Sequence, residues 1–70
     1  MNSLLFYEYT SKTGRRAIIE PIDGERVFLT LYDASGAAFL LKPYPSIKSA
    51  KNAILKYGHC EFQEKAYMKG

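Results

Sequence analysis

The chain has 70 residues, of which 47% are hydrophobic and 24% are charged, and its formal net charge at pH 7 is +3. This size allows a single domain with one small core, and the composition is too apolar for an intrinsically disordered chain. We expect neither a membrane segment nor an export signal, because no uncharged stretch is long enough and residues 1–6 lack a basic leader with an apolar region. The lone Cys60 excludes an internal disulfide and favours a reducing cytoplasm.

Four runs of strand-forming residues precede residue 42, at 4–10, 15–20, 26–32 and 37–41. Each run carries apolar side chains at both parities; in the third, Val27 and Leu29 alternate with Phe28 and Tyr32. An antiparallel sheet with one face in water would instead alternate apolar and polar residues. The pattern therefore predicts a sheet with apolar side chains on both faces.

Short polar loops separate these runs and predict hairpins. Residues 11–14 and 33–36 each end in glycine, as expected where a type I turn is followed by a left-handed residue. Asp23-Gly24 is the signal of a two-residue hairpin. Consecutive hairpins give an antiparallel meander of strands in chain order, the arrangement with the lowest loop-closure cost.

The prolines at 43 and 45 predict the end of the fourth strand, because proline lacks a backbone N–H and restricts the residue before it. A helix over 46–57 follows, with Ser46 as its N-cap and Gly58 as its terminator. Residues 59–64 alternate weakly, which predicts either a short fifth strand or a tail across the sheet. We expect residues 66–70 to fray.

The predicted helix has one apolar and one polar side. Its apolar residues recur at helical spacing: Ile47, Ala50, Ile54 and Tyr57. Lys51 falls inside this stripe, so its side chain has to extend to the edge of the stripe to bring the ammonium group into water. The opposite arc, which we call the helix arc, carries Lys48, Asn52 and Lys56. No acidic residue lies between 34 and 60, so this half of the chain favours phosphates or an acidic protein surface; a solvated lysine-bearing helix is the alternative interpretation.

The predicted fold class is α+β: a four-stranded antiparallel meander sheet with one α-helix packed on one face, and a short fifth C-terminal strand as an option. All of it forms one domain over 1–70. One such helix cannot cover both faces, so one face stays uncovered. That face would carry some of the following side chains, because the sequence does not decide which parity faces the helix: Tyr7, Tyr9, Ile18, Phe28, Tyr32 and Leu40.

Residues able to carry chemistry are few. His59 and Cys60 are adjacent, so in an extended segment they point to opposite faces and cannot form a nucleophile–base pair. A zinc site needs four N or S ligands, more than these two residues supply. The acidic residues fall at strand ends and turns, and the glycines are explained by turns, a helix end and the terminus. We therefore expect no enzyme, no metal, no cofactor and no small-molecule substrate.

An aromatic strand, a turn that contains Gly36 and a second strand occupy residues 28–42, and the helix start Tyr-Pro-Ser-Ile-Lys-Ser-Ala-Lys-Asn-Ala-Ile follows at 44–54. Over 28–57 this arrangement resembles the YegP-like family of small bacterial domains. The chain departs from the family in having two strands before the match and almost no strand between Lys42 and the helix. The resemblance implies a compact α+β fold, often duplicated or paired, and no established reaction.

These patterns predict a non-catalytic protein–protein interaction or inhibitory module, of the kind that phages and mobile elements encode. The helix arc would dock on an acidic protein surface. Aromatic side chains of the sheet would contact that partner or a second copy in a homodimer. The aromatic candidates are Tyr7, Tyr9, Phe28 and Tyr32.

The alternative is a nucleic-acid-binding module. In it, Arg15, Arg16 and Arg26 and the helix lysines would contact phosphates, and sheet aromatics would stack on bases. Phosphate binding weakens steeply as salt rises, whereas an apolar interface does not, so salt dependence separates the two functions.

Overall fold

The computed structural model describes residues 3–58 and 62–69. Five strands form one antiparallel sheet in the order β4-β3-β2-β1-β5, and one helix packs on β2, β3 and β4. The α+β class is confirmed. The elements are β1 (Ser3–Ser11), β2 (Arg16–Asp23), β3 (Arg26–Tyr32), β4 (Ala38–Tyr44), α1 (Ile47–Gly58) and β5 (Phe62–Lys69).

The sheet has a fifth strand beyond the predicted four-strand meander. Strands β1 to β4 are neighbours in chain order, as predicted, but β5 pairs with β1 on the opposite side from β2. It covers an edge of β1 that would otherwise leave backbone groups unpaired. The described strand runs from Phe62 to Lys69 and so extends past the predicted end at residue 64, and residues 66–69 pair instead of fraying. The predictions for His59 and Cys60 lie outside the described residues.

Strand β4 continues past the predicted end at residue 41 and includes Pro43, which pairs with Phe28. Because β4 is an edge strand, the N–H that proline lacks is not needed for a further ladder. The proline signal therefore ended the predicted strand too early.

The loops after β1 and β3 share one geometry, which the glycine pattern predicted. The Gly14 N–H donates to the Ser11 carbonyl (3.2 Å), and the Gly36 N–H donates to the Asp33 carbonyl (3.0 Å). The two glycines have φ angles of 90° and 91°. Side chains with a Cβ rarely adopt such angles, so both hairpins depend on glycine at these positions.

The core lies between α1 and one face of the sheet, which we call the helix face. Its buried hydrophobic residues are Tyr9, Ala17, Ile19, Val27, Leu29, Leu31, Ala50 and Ile54. Ser46 caps the helix as predicted, because its Oγ accepts the Ser49 N–H (3.3 Å). Helix α1, the helix of the described residues, is neither long nor apolar enough to cross a membrane.

Candidate interaction surface

The face of the sheet opposite α1 bears no helix within the described ranges 3–58 and 62–69; we call it the open face. The strand register places on it the side chains that alternate with those of the core. Phe28 and Tyr32, two of the predicted contact residues, are on this face. Its described side chains are Phe6, Glu8, Thr10, Arg16, Ile18, Glu20, Asp23, Arg26, Phe28, Thr30, Tyr32, Leu41, Pro43, Gln63, Lys65 and Tyr67.

A row of directly paired residues crosses all five strands of the open face. It runs Lys65, Glu8, Ile18, Thr30 and Leu41. Thr30 is only 6% exposed although no described helix covers it, because its neighbours on this face crowd around it. Leu41, on the edge strand, is 62% exposed. The open face is therefore densely packed at the centre and projects an apolar side chain at one edge.

Aromatic rings lie on both sides of this row. Phe6 and Tyr67 stack with ring centroids 4.5 Å apart and an interplanar angle of 21°. The Arg16 guanidinium lies 5.2 Å from the centre of the Tyr32 ring. Such pairs hold the rings in fixed orientations. A depression of about 280 Å³ lies among Phe6, Ile18 and Tyr32 on this face.

Glu8 organises the charges of the open face. Its Oε2 lies 3.3 Å from Arg16 Nη2, and its Oε1 accepts a hydrogen bond from the Tyr67 hydroxyl at 3.0 Å. Among the described side chains of this face, Glu8 and Glu20 balance Arg16 and Lys65, and Asp23 balances Arg26, so together they carry no net charge. The balance depends on the register of β5 against β1, which sets Lys65 opposite Glu8.

The helix side carries the lysines of α1. The three helix-arc residues are all exposed. The first turn of α1 contains no acidic residue, and Lys56 lies in its last turn. Lys51 reaches the edge, as predicted, and its Nζ lies 3.1 Å from Glu64 Oε2.

Tyr7 and Tyr9 do not belong to the open face, which corrects the expectation that they join Phe28 and Tyr32 there. Tyr9 pairs with Ala17 on the helix face and is 6% exposed. The Lys51 ammonium lies 5.1 Å from the centre of the Tyr7 ring. Both tyrosines therefore pack beneath or beside α1, because the odd-numbered residues of this part of β1 face the helix.

The three arginines predicted to contact phosphates are dispersed. Arg15 lies on the helix face, where its Nη1 donates to the Tyr57 carbonyl at 3.2 Å. Arg16 pairs with Glu8 on the open face. Arg26 forms a bidentate pair with Asp23, with N–O distances of 2.9 and 2.6 Å. This pair lowers the pKa of Asp23, chiefly through its hydrogen bonds. The structure does not gather these arginines into one basic patch.

The helix side has a larger groove of about 660 Å³ beside the start of α1. Apolar side chains of Leu4, Val27 and Ile47 line it, with Glu25 and Lys48 of opposite charge among its other lining residues. Within the described parts of the chain, no three His, Cys, Asp or Glu side chains come together as metal ligands. The residues that line this groove do not form a cluster of reactive groups.

Sequence reasoning found Phe28 and Tyr32 but missed much of the open face. Lys65 and Tyr67 lie on β5, whose length the sequence did not predict, and the pairing of β5 with β1 brings them next to Glu8. No family model, curated protein or solved structure matches the chain. The likeness to the YegP-like family therefore stays a prediction, and function has to be inferred from the surface itself.

Proposed function

We propose that the protein is a non-catalytic binding module that docks on a protein partner through its open face. The observation that supports this is a face without a described helix that carries the partly exposed rings of Phe6 and Tyr67 on one side and the exposed Leu41 on the other. Aromatic and apolar side chains left accessible beside polar ones on a small domain are typical of an interaction site. The inhibitory, phage-type role and the cytoplasmic location are parts of the same proposal.

The charges of the open face favour a protein over a nucleic acid. Glu8 lies in its central row of side chains and already neutralises Arg16. A phosphate backbone requires a basic surface, and acidic side chains in the contact area repel it. A neutral surface that carries aromatic rings matches the composition of protein interfaces.

The shifted pKa values support a structural rather than a catalytic role for the groups concerned. The carboxylate of Asp33 accepts hydrogen bonds from Ser35 and Ala37, and these lower its pKa. These bonds fix the hairpin between β3 and β4. The hydrogen bond from Tyr9 to Glu64 joins β1 to β5 and shifts the pKa values of both groups. Each shift is explained by a contact that holds the fold together, which is the usual alternative to a catalytic site.

Nucleic-acid binding is a second candidate function, favoured by the exposed lysines of the helix arc. Lys48 and Lys56 are separated by about two helical turns and lie on the same side of α1. Helix α1 has the sequence IKSAKNAILKYG and therefore contains no acidic residue that could neutralise these lysines. Such an arc attracts phosphates without any sequence preference.

A capture experiment with two leucine variants tests the proposed function. Leu41 on the open face and Leu55 on the helix side are 62% and 49% exposed. Leu41→Lys should lose the bound protein, whereas Leu55→Lys should retain it, because both add one charge at an exposed leucine but only the first lies on the open face. Captured proteins are identified by mass spectrometry, and circular dichroism checks that both variants fold.

Two results would contradict the proposal. The first is equal capture by both variants, which would locate the partner elsewhere. The second is binding of a single-stranded oligonucleotide that weakens steeply with salt and is lost in Leu41→Lys, which would make the open face a nucleic-acid surface.

A further inference from the structure

We infer that the partner on the open face is a second copy of this chain, so that two sheets pack face to face with the α1 helices on the outside. This inference rests on the proposed function of the open face and adds the identity of its occupant. Packed sheets lie about 10 Å apart, with side chains of the two inner faces interdigitating.

The charge distribution fits a second copy. A two-fold interface brings one surface against itself, so each group has to tolerate its own counterpart. The chain carries a net charge of +3, yet Glu8 and Glu20 balance Arg16 and Lys65 on the open face. Two such faces meet without repulsion and offer opposite charges to each other. Two helix sides, in contrast, would bring the lysines of both helix arcs together.

The size of the face meets the requirement of a specific dimer. Five strands at a spacing of about 4.8 Å and a strand length of about 23 Å give a face of roughly 550 Å². Two copies therefore bury roughly 1,100 Å² in total, slightly above the roughly 1,000 Å² that separates specific interfaces from chance contacts. We expect a dimer of moderate affinity that dissociates on dilution.

Light scattering coupled to gel filtration tests the inference, over a dilution series from submillimolar to low micromolar protein and at low and high salt. The wild type should approach twice the 8.0 kDa of one chain at high concentration, with no loss of mass at high salt. Leu41→Lys should elute at the mass of one chain, because a dimer would bury the new ammonium group. Leu55→Lys should behave as the wild type.

Phe28→Ser provides a second open-face variant, on β3, and far-UV circular dichroism establishes that each variant is folded. A wild type of one-chain mass at every concentration overturns the inference. So does a dimer that Leu55→Lys dissociates while Leu41→Lys and Phe28→Ser do not. If the wild type is monomeric yet Leu41→Lys still loses a captured protein, the inference fails and the proposed function stands. If the wild type is monomeric and Leu41→Lys captures the same protein as the wild type, both the inference and the proposed function fail.

Discussion

The hydroxyl of Tyr9 donates a hydrogen bond to Oε2 of Glu64, and so joins a core residue of β1 to the last strand of the sheet. Lys51 on α1 contacts the same oxygen, at 3.1 Å. Helix α1 packs mainly on β2, β3 and β4. It reaches β5 through this cluster and through the contact between the Tyr57 and Phe62 rings, whose centroids are 5.7 Å apart. We call Tyr9, Lys51 and Glu64 the clasp. Because β5 also carries Lys65 and Tyr67, the clasp helps to hold part of the open face in place.

The clasp should make stability fall in acid. The hydrogen bond from Tyr9 lowers the pKa of Glu64, and Lys51 adds to this against the opposing effect of burial. The folded state therefore binds this proton less tightly than the unfolded state. The stabilisation is complete above the ordinary glutamate pKa of about 4.3 and is lost as pH falls through the lower folded pKa.

Urea unfolding at a series of pH values measures this effect. The stability advantage of the wild type over Glu64→Gln should shrink as the pH falls from about 5 to about 3, because the amide has no proton to gain. Glu25→Gln, at the exposed β2–β3 hairpin, removes a carboxylate away from the clasp and serves as the control. A constant advantage of the wild type over Glu64→Gln across this range would show that the carboxylate charge does not contribute.

The same contact should also reduce stability in alkali. Burial raises the pKa of Tyr9, and the hydrogen bond and charge of Glu64 raise it further. The folded state therefore keeps the phenol proton above the ordinary tyrosine pKa of about 10, while the unfolded state loses it. Stability is present below that pH and declines as pH rises, by at most about 1.4 kcal/mol per pH unit for one group.

Tyr9→Phe should therefore lose less stability than the wild type between about pH 9 and pH 11, as measured by urea unfolding at each pH. Tyr7→Phe is the matched control, since it removes a neighbouring hydroxyl and leaves that of Tyr9 in place. Identical pH slopes for the wild type and Tyr9→Phe would mean that Tyr9 ionises as readily in the fold as outside it.

Ile54 should be the most sensitive position of the helix. It is 3% exposed and lies in the core cluster with Leu29 and Leu31. Truncation to alanine removes buried methyl and methylene groups and leaves a cavity, at a cost of about 2–5 kcal/mol. Ile54→Asp should abolish the cooperative melt. Leu55→Ala, at a neighbouring position that is 49% exposed, should cost far less in the same thermal unfolding experiment. A cooperative melt for Ile54→Asp would mean that another side of α1 faces the sheet.

Local signals in the sequence predicted much of this fold. The spacing of Ala50 and Ile54 and the cap at Ser46 identified the helix. Gly14 and Gly36 identified two hairpins, and both have the left-handed backbone expected of them. These features depend on residues close together in the chain, where turn chemistry and helical periodicity act directly.

The rest depends on contacts between distant residues. Apolar side chains occur at both parities of the strands, so the side on which Tyr9 lies is fixed only when α1 packs on the sheet. Strand β5 pairs with β1, from which most of the chain separates it in sequence. It also contains exposed charged residues such as Glu64 and Lys65, which weaken its strand pattern. The charge balance of the open face follows from that pairing. Sequence patterns therefore identified Phe28 and Tyr32 but not the surface to which they belong.

Binding of single-stranded nucleic acid, the second candidate function, should depend on the helix arc and not on the arginines. Lys48 and Lys56 are exposed on α1, whereas Arg16 and Arg26 are paired with Glu8 and Asp23. Lys48→Gln/Lys56→Gln should therefore weaken oligonucleotide binding. The slope of log affinity against log salt should become less steep, by the amount that about two lost phosphate contacts produce. Arg16→Gln/Arg26→Gln removes the same charge and should change this slope little.

Fluorescence anisotropy of a labelled oligonucleotide over a salt series provides the measurement. The lysine variant should also keep the dimer mass of the wild type, because the helices face outward in the proposed dimer. An equal loss of affinity in both double variants would point to the net charge of the chain rather than to the helix arc. A larger loss in the arginine variant would assign the phosphate contacts to the open face, whose neutrality would then no longer be an argument for a second copy there.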